Sequence, residues 1–252
     1  MTDRGRTWIV TIDEPIFYGR LYKRLIEAAT EEISGVIVLP PPSEATARAW
    51  FTEALYRLRF WGAYGSIFAA WQLLRARVLG TGDAIGAAKK AGIPAFRETS
   101  LANAVDRLRR ARVNTVLASV SSRVPPEGLN AAQTGWINTH CGPLPRYGGL
   151  DAPFWCLYHR EPEVTVSLHY MSENIDDGPI LAQRSIPAGT RTYFSLVFEL
   201  FDTAYSMHLG FLKESWPDPD GLERQETTSR TYFSKPPAEA GRDFRRRGGR
   251  FA

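Results

Sequence analysis

The chain is poor in cysteine: 252 residues contain two, Cys141 and Cys156. Two thiols make no disulfide framework, so a reducing, cytoplasmic setting is the expectation. No signal-peptide core follows the polar start, Met1 to Thr7. There is no apolar run long enough for a membrane span. The stretch that could mislead, Trp61 to Leu74, holds two Trp, one Tyr and one Phe over 14 uncharged residues. That falls short of the ~20 residues a span requires, and Arg57, Arg59, Arg75 and Arg77 bracket it. It reads as a buried or half-buried helix, with an apolar substrate wall, a dimer face or an interfacial helix as alternatives. No excess of one charge dominates. With 31 basic and 27 acidic residues the net charge is +4, weak evidence for nucleic acid, and no such partner is expected. The excess is partly local: Arg242, Arg245, Arg246, Arg247 and Arg250 crowd the C-terminus, read as a solvated tail rather than a phosphate patch. The four histidines show no metal-ligand spacing with the cysteines, so no metal is expected. Internal repeats are absent.

What is there is ordinary globular composition, 44% hydrophobic and 23% charged. It suits one large α/β domain, or a domain plus an appendage, able to bury its own core. Thr7–Ile12 (TWIVTI) reads as a first strand, with Pro15 at the following helix start. Ile33–Leu39 is a second apolar run, stopped by Pro40, Pro41 and Pro42. Ser43–Leu79 is helical in composition, and Ala84–Ala91 is a short helix. Ile93–Phe96, Thr115–Val120 and Trp136–Asn138 are further strands, with a basic helix over Leu101–Ala111. Strands alternating with helices predict a mostly parallel, Rossmann-like sheet with flanking helices. Val164–Met171 and Ile180–Ile186 then read as a hairpin around Asp176–Gly178, and Phe194–Glu214 as a long helix. Residues 1–214 are taken as the catalytic domain and 215–252 as a linker and short basic C-terminal arm, whose expected role is packing.

The candidate chemistry sits at one strand end. Open α/β sheets bind ligands beyond the carboxyl ends of their strands. Residues i and i+2 of a strand share a face, so Asn138 and His140 enter one crevice while Cys141 points away. That argues against a Cys–His nucleophile. The loop Cys141–Gly149 (CGPLPRYGG) is stiff, and its glycines allow close backbone approach to a ligand. Taken alone, Asp176–Asp177 before Gly178 is an ordinary turn and His169 an ordinary strand histidine.

The runs WINTHCGPLPRYGG and DAPFWCLYHREPEVTVSLHYMSENIDDGPIL resemble the folate-dependent formyltransferases. These include glycinamide ribonucleotide transformylase, methionyl-tRNA formyltransferase and the sugar N-formyltransferases. The shared pattern is Asn-x-His, a Leu-Pro-x-Tyr-x-Gly loop, a strand histidine and Asp-x-Gly. The resemblance implies the formyltransferase fold, with Asn138, His140 and Asp176 as the catalytic trio. It implies 10-formyltetrahydrofolate as co-substrate, with Ser121, Ser122, Arg123, Val124, Ile175, Asp176, Gly178 and Phe96 around the pterin. Tyr18, Arg146, Tyr147 and His169 are the acceptor-side candidates. The chain departs from the family at Cys141 and Gly142, where Pro-Ser often follows the histidine. It also lacks a glycine-rich phosphate loop after the first strand, where Ile12–Tyr18 (IDEPIFY) stands. That counts against a ribonucleotide acceptor. The chain is expected to carry neither a tRNA-binding C-terminal domain nor an N-terminal regulatory domain.

The expected reaction is attack of a primary amine on the formyl carbon. Asn138 and a protonated His140 would donate to the developing oxyanion, worth about 3–4 kcal/mol each. Asp176 would hold His140 charged and take a proton from the amine. The expected acceptor is an amino sugar, nucleotide-linked, or an amine of specialised metabolism. A formyltetrahydrofolate hydrolase and a non-catalytic folate- or nucleotide-binding module are the alternatives, and a homodimer is left open.

Overall fold

The computed structural model describes residues 6–41, 47–214, 217–226 and 228–252. Met1–Gly5, Pro42–Thr46, Ser215, Trp216 and Thr227 lie outside the described residues. The starts of the predicted 43–79 helix and of the predicted linker therefore do so too. Strands β1 (Thr7–Ile12), β2 (Ile33–Leu39), β3 (Ala95–Arg97), β4 (Val113–Ser119) and β5 (Ala132–His140) run parallel. A two-residue β6 (Gly148–Gly149) follows, then β7 (Glu163–Tyr170), β8 (Ile180–Pro187) and β9 (Tyr232–Phe233). The main sheet has order β3-β2-β1-β4-β5-β7-β8, with β7 and β8 antiparallel. The helices are α1 (Tyr18–Ala28), α2 (Ala47–Leu79), α3 (Ala84–Lys90), α4 (Leu101–Ala111), α5 (Pro126–Leu129), α6 (Ala152–Tyr158), α7 (Tyr193–Lys213) and α8 (Ala238–Arg246).

Alternation along the strands sorts the core onto two faces. Ile9 of β1 joins Leu21, Leu25, Ile85 and Leu200 beneath α1, α3 and α7. Its neighbours Trp8 and Val10 join Val105 and Leu108 beneath α4. Strand order reverses between β1 and β4, which opens a crevice at their C-terminal ends. A third, aromatic cluster of Phe60, Phe154, Phe194, Phe244 and Phe251 ties α2 and α8 to α6 and α7. Phe244 and Phe251 of the C-terminal arm are buried there, while Tyr232 stays exposed, so the arm packs on the domain through these two rings. Its guanidiniums still reach the surface.

Two local details differ from expectation. Helix α1 starts at Tyr18 rather than Pro15, because the Glu14 carboxylate accepts the amides of Ile16, Phe17 and Tyr18 at 2.8–3.0 Å. It acts as the cap. Helix α2 breaks at Gly62, whose φ of 76° only glycine adopts without strain. The carbonyls freed by the break, at Arg59 and Phe60, accept from the Arg245 guanidinium. Among the described residues no helix is long and apolar enough to cross a membrane.

Candidate active site

Asn138 and His140 end β5, and their partners across the ladder are His169 and Ser167 of β7. Asn138 Nδ2 lies 3.2 Å from His169 Nε2. The other nitrogen of His169, Nδ1, donates to the Tyr170 carbonyl at 2.8 Å, so Nε2 is left to accept from the Asn138 amide. His140 Nε2 donates to the Tyr147 carbonyl at 2.6 Å. Its remaining nitrogen, Nδ1, faces Asp176 Oδ2 at 3.5 Å, and Asp176 Oδ1 is 3.6 Å from His169 Nε2. Sequence-distant groups thus meet: the trio Asn138, His140 and Asp176, with His169 as a fourth member.

Asp176 occupies a tight turn at φ 53°, and its Oδ2 accepts the Gly149 amide at 2.7 Å. Burial alone would raise its pKa. The hydrogen bond and charge that His169 supplies, and the charge that His140 supplies, once these rings are protonated in acid, together with that amide outweigh burial and bring it down to about 2. The carboxylate is ionised at any working pH. His140 behaves otherwise than expected. Burial lowers its pKa against the pull of Asp176 and the Tyr147 carbonyl, so the ring is held toward its neutral form rather than charged. Gly142 accounts for the ring's position, because a Cβ there would stand 2.7 Å from His140 Nε2 and 2.8 Å from the Tyr147 oxygen. The hydroxyl-bearing residue of the resembled family has no room in this arrangement.

These groups floor a cavity of about 350 Å³ at the β1/β4 crevice. Ser121, Ser122, Arg123, Val124, Ile175 and Asp176 line it on one side. The backbone of Ser121 to Val124 makes no hydrogen bond to the rest of the described chain, and so offers an open edge to a flat heterocycle. Tyr18 and His169 also line the cavity. Four predicted site residues do not. Phe96 stacks on Trp8 with Arg107 above it, on the far side of the sheet. Gly178 is buried under the hairpin turn. Arg146 points outward toward Glu161, 3.8 Å away. Tyr147 donates its hydroxyl to Glu161 at 2.8 Å and contributes only its carbonyl. Cys141 is the reverse case: β5 ends at His140, alternation stops, and Cys141 reaches the cavity wall. Burial pushes its thiol up to about 12, so it is no nucleophile at neutral pH.

Several functional candidates left no readable signal in the sequence. Asp151 lines the cavity and accepts from the Tyr193 hydroxyl at 2.8 Å. Burial raises its carboxyl to about 6. In sequence it passes for the cap of α6. The wall around it comes from Phe17, Leu150, Tyr193, Val197, Phe201 and Tyr232, contributed by four separate segments. The stretch read as a linker straps the turn that carries Asp176. Gln225 donates to the Asp176 and Gly178 carbonyls at 3.0 and 2.7 Å. Arg230 donates to the Ile175 carbonyl at 2.6 Å and pairs with Asp177 at 2.8 Å. Strand β9 pairs with Gly148–Gly149, which steadies the amide that holds Asp176. Among the described residues no group of three or more His, Cys, Asp and Glu is placed to hold a metal ion.

The structure is thus a mostly parallel sheet reversed at β1/β4, with Asn138, His140 and Asp176 gathered at its carboxyl edge. Residues 76–193 match the family model described as formyl transferase. It is 33% identical to a methionyl-tRNA formyltransferase of Geobacter sulfurreducens over 86 residues, 34% of this chain and 27% of the relative. It is 40% identical to a GDP-perosamine N-formyltransferase of Brucella melitensis over 76 residues, 30% of this chain and 29% of the relative. The match thus spans under a third of these relatives' length. Among solved structures, glycinamide ribonucleotide transformylase 1 from Symbiobacterium toebii superposes with a TM-score of 0.58 at 18% identity, covering 82% of this chain and 85% of that one. An N-formyltransferase from Helicobacter canadensis, in complex with folinic acid and dTDP-3-aminofucose, gives 0.52 at 16% identity, covering 91% and 71%. These likenesses show the same fold.

Proposed function

We propose that this protein is an N-formyltransferase that moves a formyl group from 10-formyltetrahydrofolate to a primary amine, with amino sugars, nucleotide-linked ones first, as the acceptor class. The observation that carries the reading is the convergence of Asn138, His140, His169 and Asp176 on one cavity floor beside the unbonded backbone edge of Ser121–Val124. The GDP-perosamine relative and the neighbour holding dTDP-3-aminofucose support an amino-sugar acceptor.

The amine nitrogen bonds to the formyl carbon, and charge builds on the formyl oxygen. Asn138 spends one amide N–H on His169 and has a second for that oxygen. Asp176 is too weak a base at a pKa of about 2 to keep the amine's proton. It acts instead as the fixed anion facing the ammonium that forms on attack. The free Nδ1 of His140, beside Asp176, is the acceptor for that proton. Once protonated there, the ring turns its new N–H toward the carboxylate. The carbon–N10 bond then breaks, N10 takes up the proton that His140 holds, and tetrahydrofolate leaves. The acceptor would lie between Asp151 and the aromatic wall, because sugar hydroxyls donate to carboxylates and sugar C–H faces stack on rings.

The test is a panel of amines incubated with 10-formyltetrahydrofolate, with formylated products scored by mass. Formate released at the same rate without acceptor would sink the transfer reading in favour of hydrolysis. Wild-type transfer by purified His140→Ala would sink the proton route.

A further inference from the structure

Beyond its break at Gly62, α2 has two apolar sides. The inner side packs on the body: Gly65 lies against Phe251, Phe68 against Phe194, and Ala76 is buried. The outer side is apolar as well. Tyr64 is 71% exposed, Ile67 68%, Trp71 52%, Leu74 61% and Val78 73%. A surface helix with one buried face ordinarily carries polar residues there.

The spacing of these five residues is three, four, three, four. At 100° per residue they fall within an arc of about 80°, and at 1.5 Å rise they form a stripe of about 21 Å. A core-facing or lipid-facing arc is broader, about 100° or more, whereas a narrow stripe with this alternation is the seam of paired helices. The five side chains present on the order of 600 Å² of surface, approaching the ~800 Å² per partner of a stable protein interface.

Charge decides the partner's direction. From Ala54 to Gly82 there is no acidic residue, and Arg75 and Arg77 flank the stripe near its C-terminal end. Two such helices side by side in parallel would set these arginines of both copies along one end of the seam. Run antiparallel, the arginines of each copy lie along the stretch from Ala63 to Ala70 of the other, where no cation stands. A two-fold axis near Trp71 then closes the contact, since each copy offers the same patch.

We infer that the outer face of α2 is the seam of a homodimer in which Tyr64, Ile67, Trp71, Leu74 and Val78 of two copies pair antiparallel about a two-fold axis. The pairing is independent of which amine the cavity accepts.

Sedimentation equilibrium of the full chain across the micromolar range is the first measurement. A dimer is expected, and Ile67→Asp/Leu74→Asp should weaken it at least ~100-fold with far-UV circular dichroism unchanged. Direction is read by cross-linking folded protein under mild oxidation. A mixture of Tyr64→Cys and Val78→Cys chains should form the mixed disulfide, while neither variant links to itself. A monomeric wild type, or a dimer indifferent to the double substitution, overturns the proposal. Self-linking by each cysteine variant overturns the antiparallel pairing. A monomer that floats with phosphatidylglycerol vesicles, and loses flotation on the double substitution, reassigns the face to lipid.

Discussion

Replacing Asp151 by asparagine should make the protein more stable and less functional. Asp151 precedes α6 in a left-handed backbone conformation, φ 57°, which asparagine tolerates. Its carboxylate accepts from the Tyr193 hydroxyl, and an amide oxygen can accept that bond equally. What changes is the charge. Burial raises the carboxyl from 3.8 to about 6, against the lowering effects of Tyr193, the Phe154 amide and Lys235. A raised acid pKa in the folded state means that stability falls as pH rises from 3.8 to about 6, then stays level. The cost above that window is about 2–3 kcal/mol at ~1.4 kcal/mol per pKa unit. Asp151→Asn removes it, so the melting temperature should rise by roughly 4–12 °C at pH 8, at ~2–4 °C per kcal/mol for a chain of this size. At pH 4 the wild-type carboxyl is already mostly protonated when folded, and the gain should shrink to nearly nothing. Calorimetry at the two pH values measures the difference, and steady-state kinetics on the same variant should show a raised KM for acceptor. A variant that melts no higher than wild type at pH 8 would refute the argument that Asp151 is a buried charge kept for binding.

Asp176→Asn should lower turnover by about 10²–10³. It should also cost about 2 kcal/mol at pH 7, because a carboxyl lowered from 3.8 to about 2 stabilises the fold above that range and loses its contribution as pH falls through it. Urea unfolding at pH 7 and pH 3 checks the sign. Gly142→Ser should displace His140 and cut kcat by roughly tenfold or more, on the scale of a misplaced general base, at a cost of about 1–3 kcal/mol from the crowded Cβ, with unchanged far-UV circular dichroism as the control. Arg230→Ala should free the Asp177 side of the catalytic turn, costing about 1–2 kcal/mol in kcat/KM and shifting the pH profile. A profile identical to wild type would show the strap to be structural only.

Much of the frame was legible in residue order. The alternation of β-branched runs with helical spacing marks β1, β2 and β4. The span predicted for α4 matches the structure, as does the hairpin of β7 and β8. The errors have physical causes. Pro15 marks a helix start, but Glu14 supplies the cap from four residues before the helix begins. Strand alternation places Cys141 outward, but alternation ends with the strand. Composition made a linker of 216–230, because side-chain bonds such as those of Gln225 to two distant carbonyls leave no pattern in sequence. Trp61–Leu74 lacks charge for two reasons at once, a buried face and an exposed one, and periodicity alone does not separate them.

The sequence by itself determined the sheet, the strand end carrying Asn138 and His140, and, through the motif, the turn carrying Asp176. Those are local: strand period, turn chemistry and short motifs lie in neighbouring residues. Only the tertiary structure decided how the groups behave. The neutral tendency of His140, the ionised Asp176, the raised Asp151 and the inert Cys141 all follow from desolvation and from partners up to tens of residues away. Burial and field at a site are properties of everything packed around it, and no stretch of sequence carries them alone.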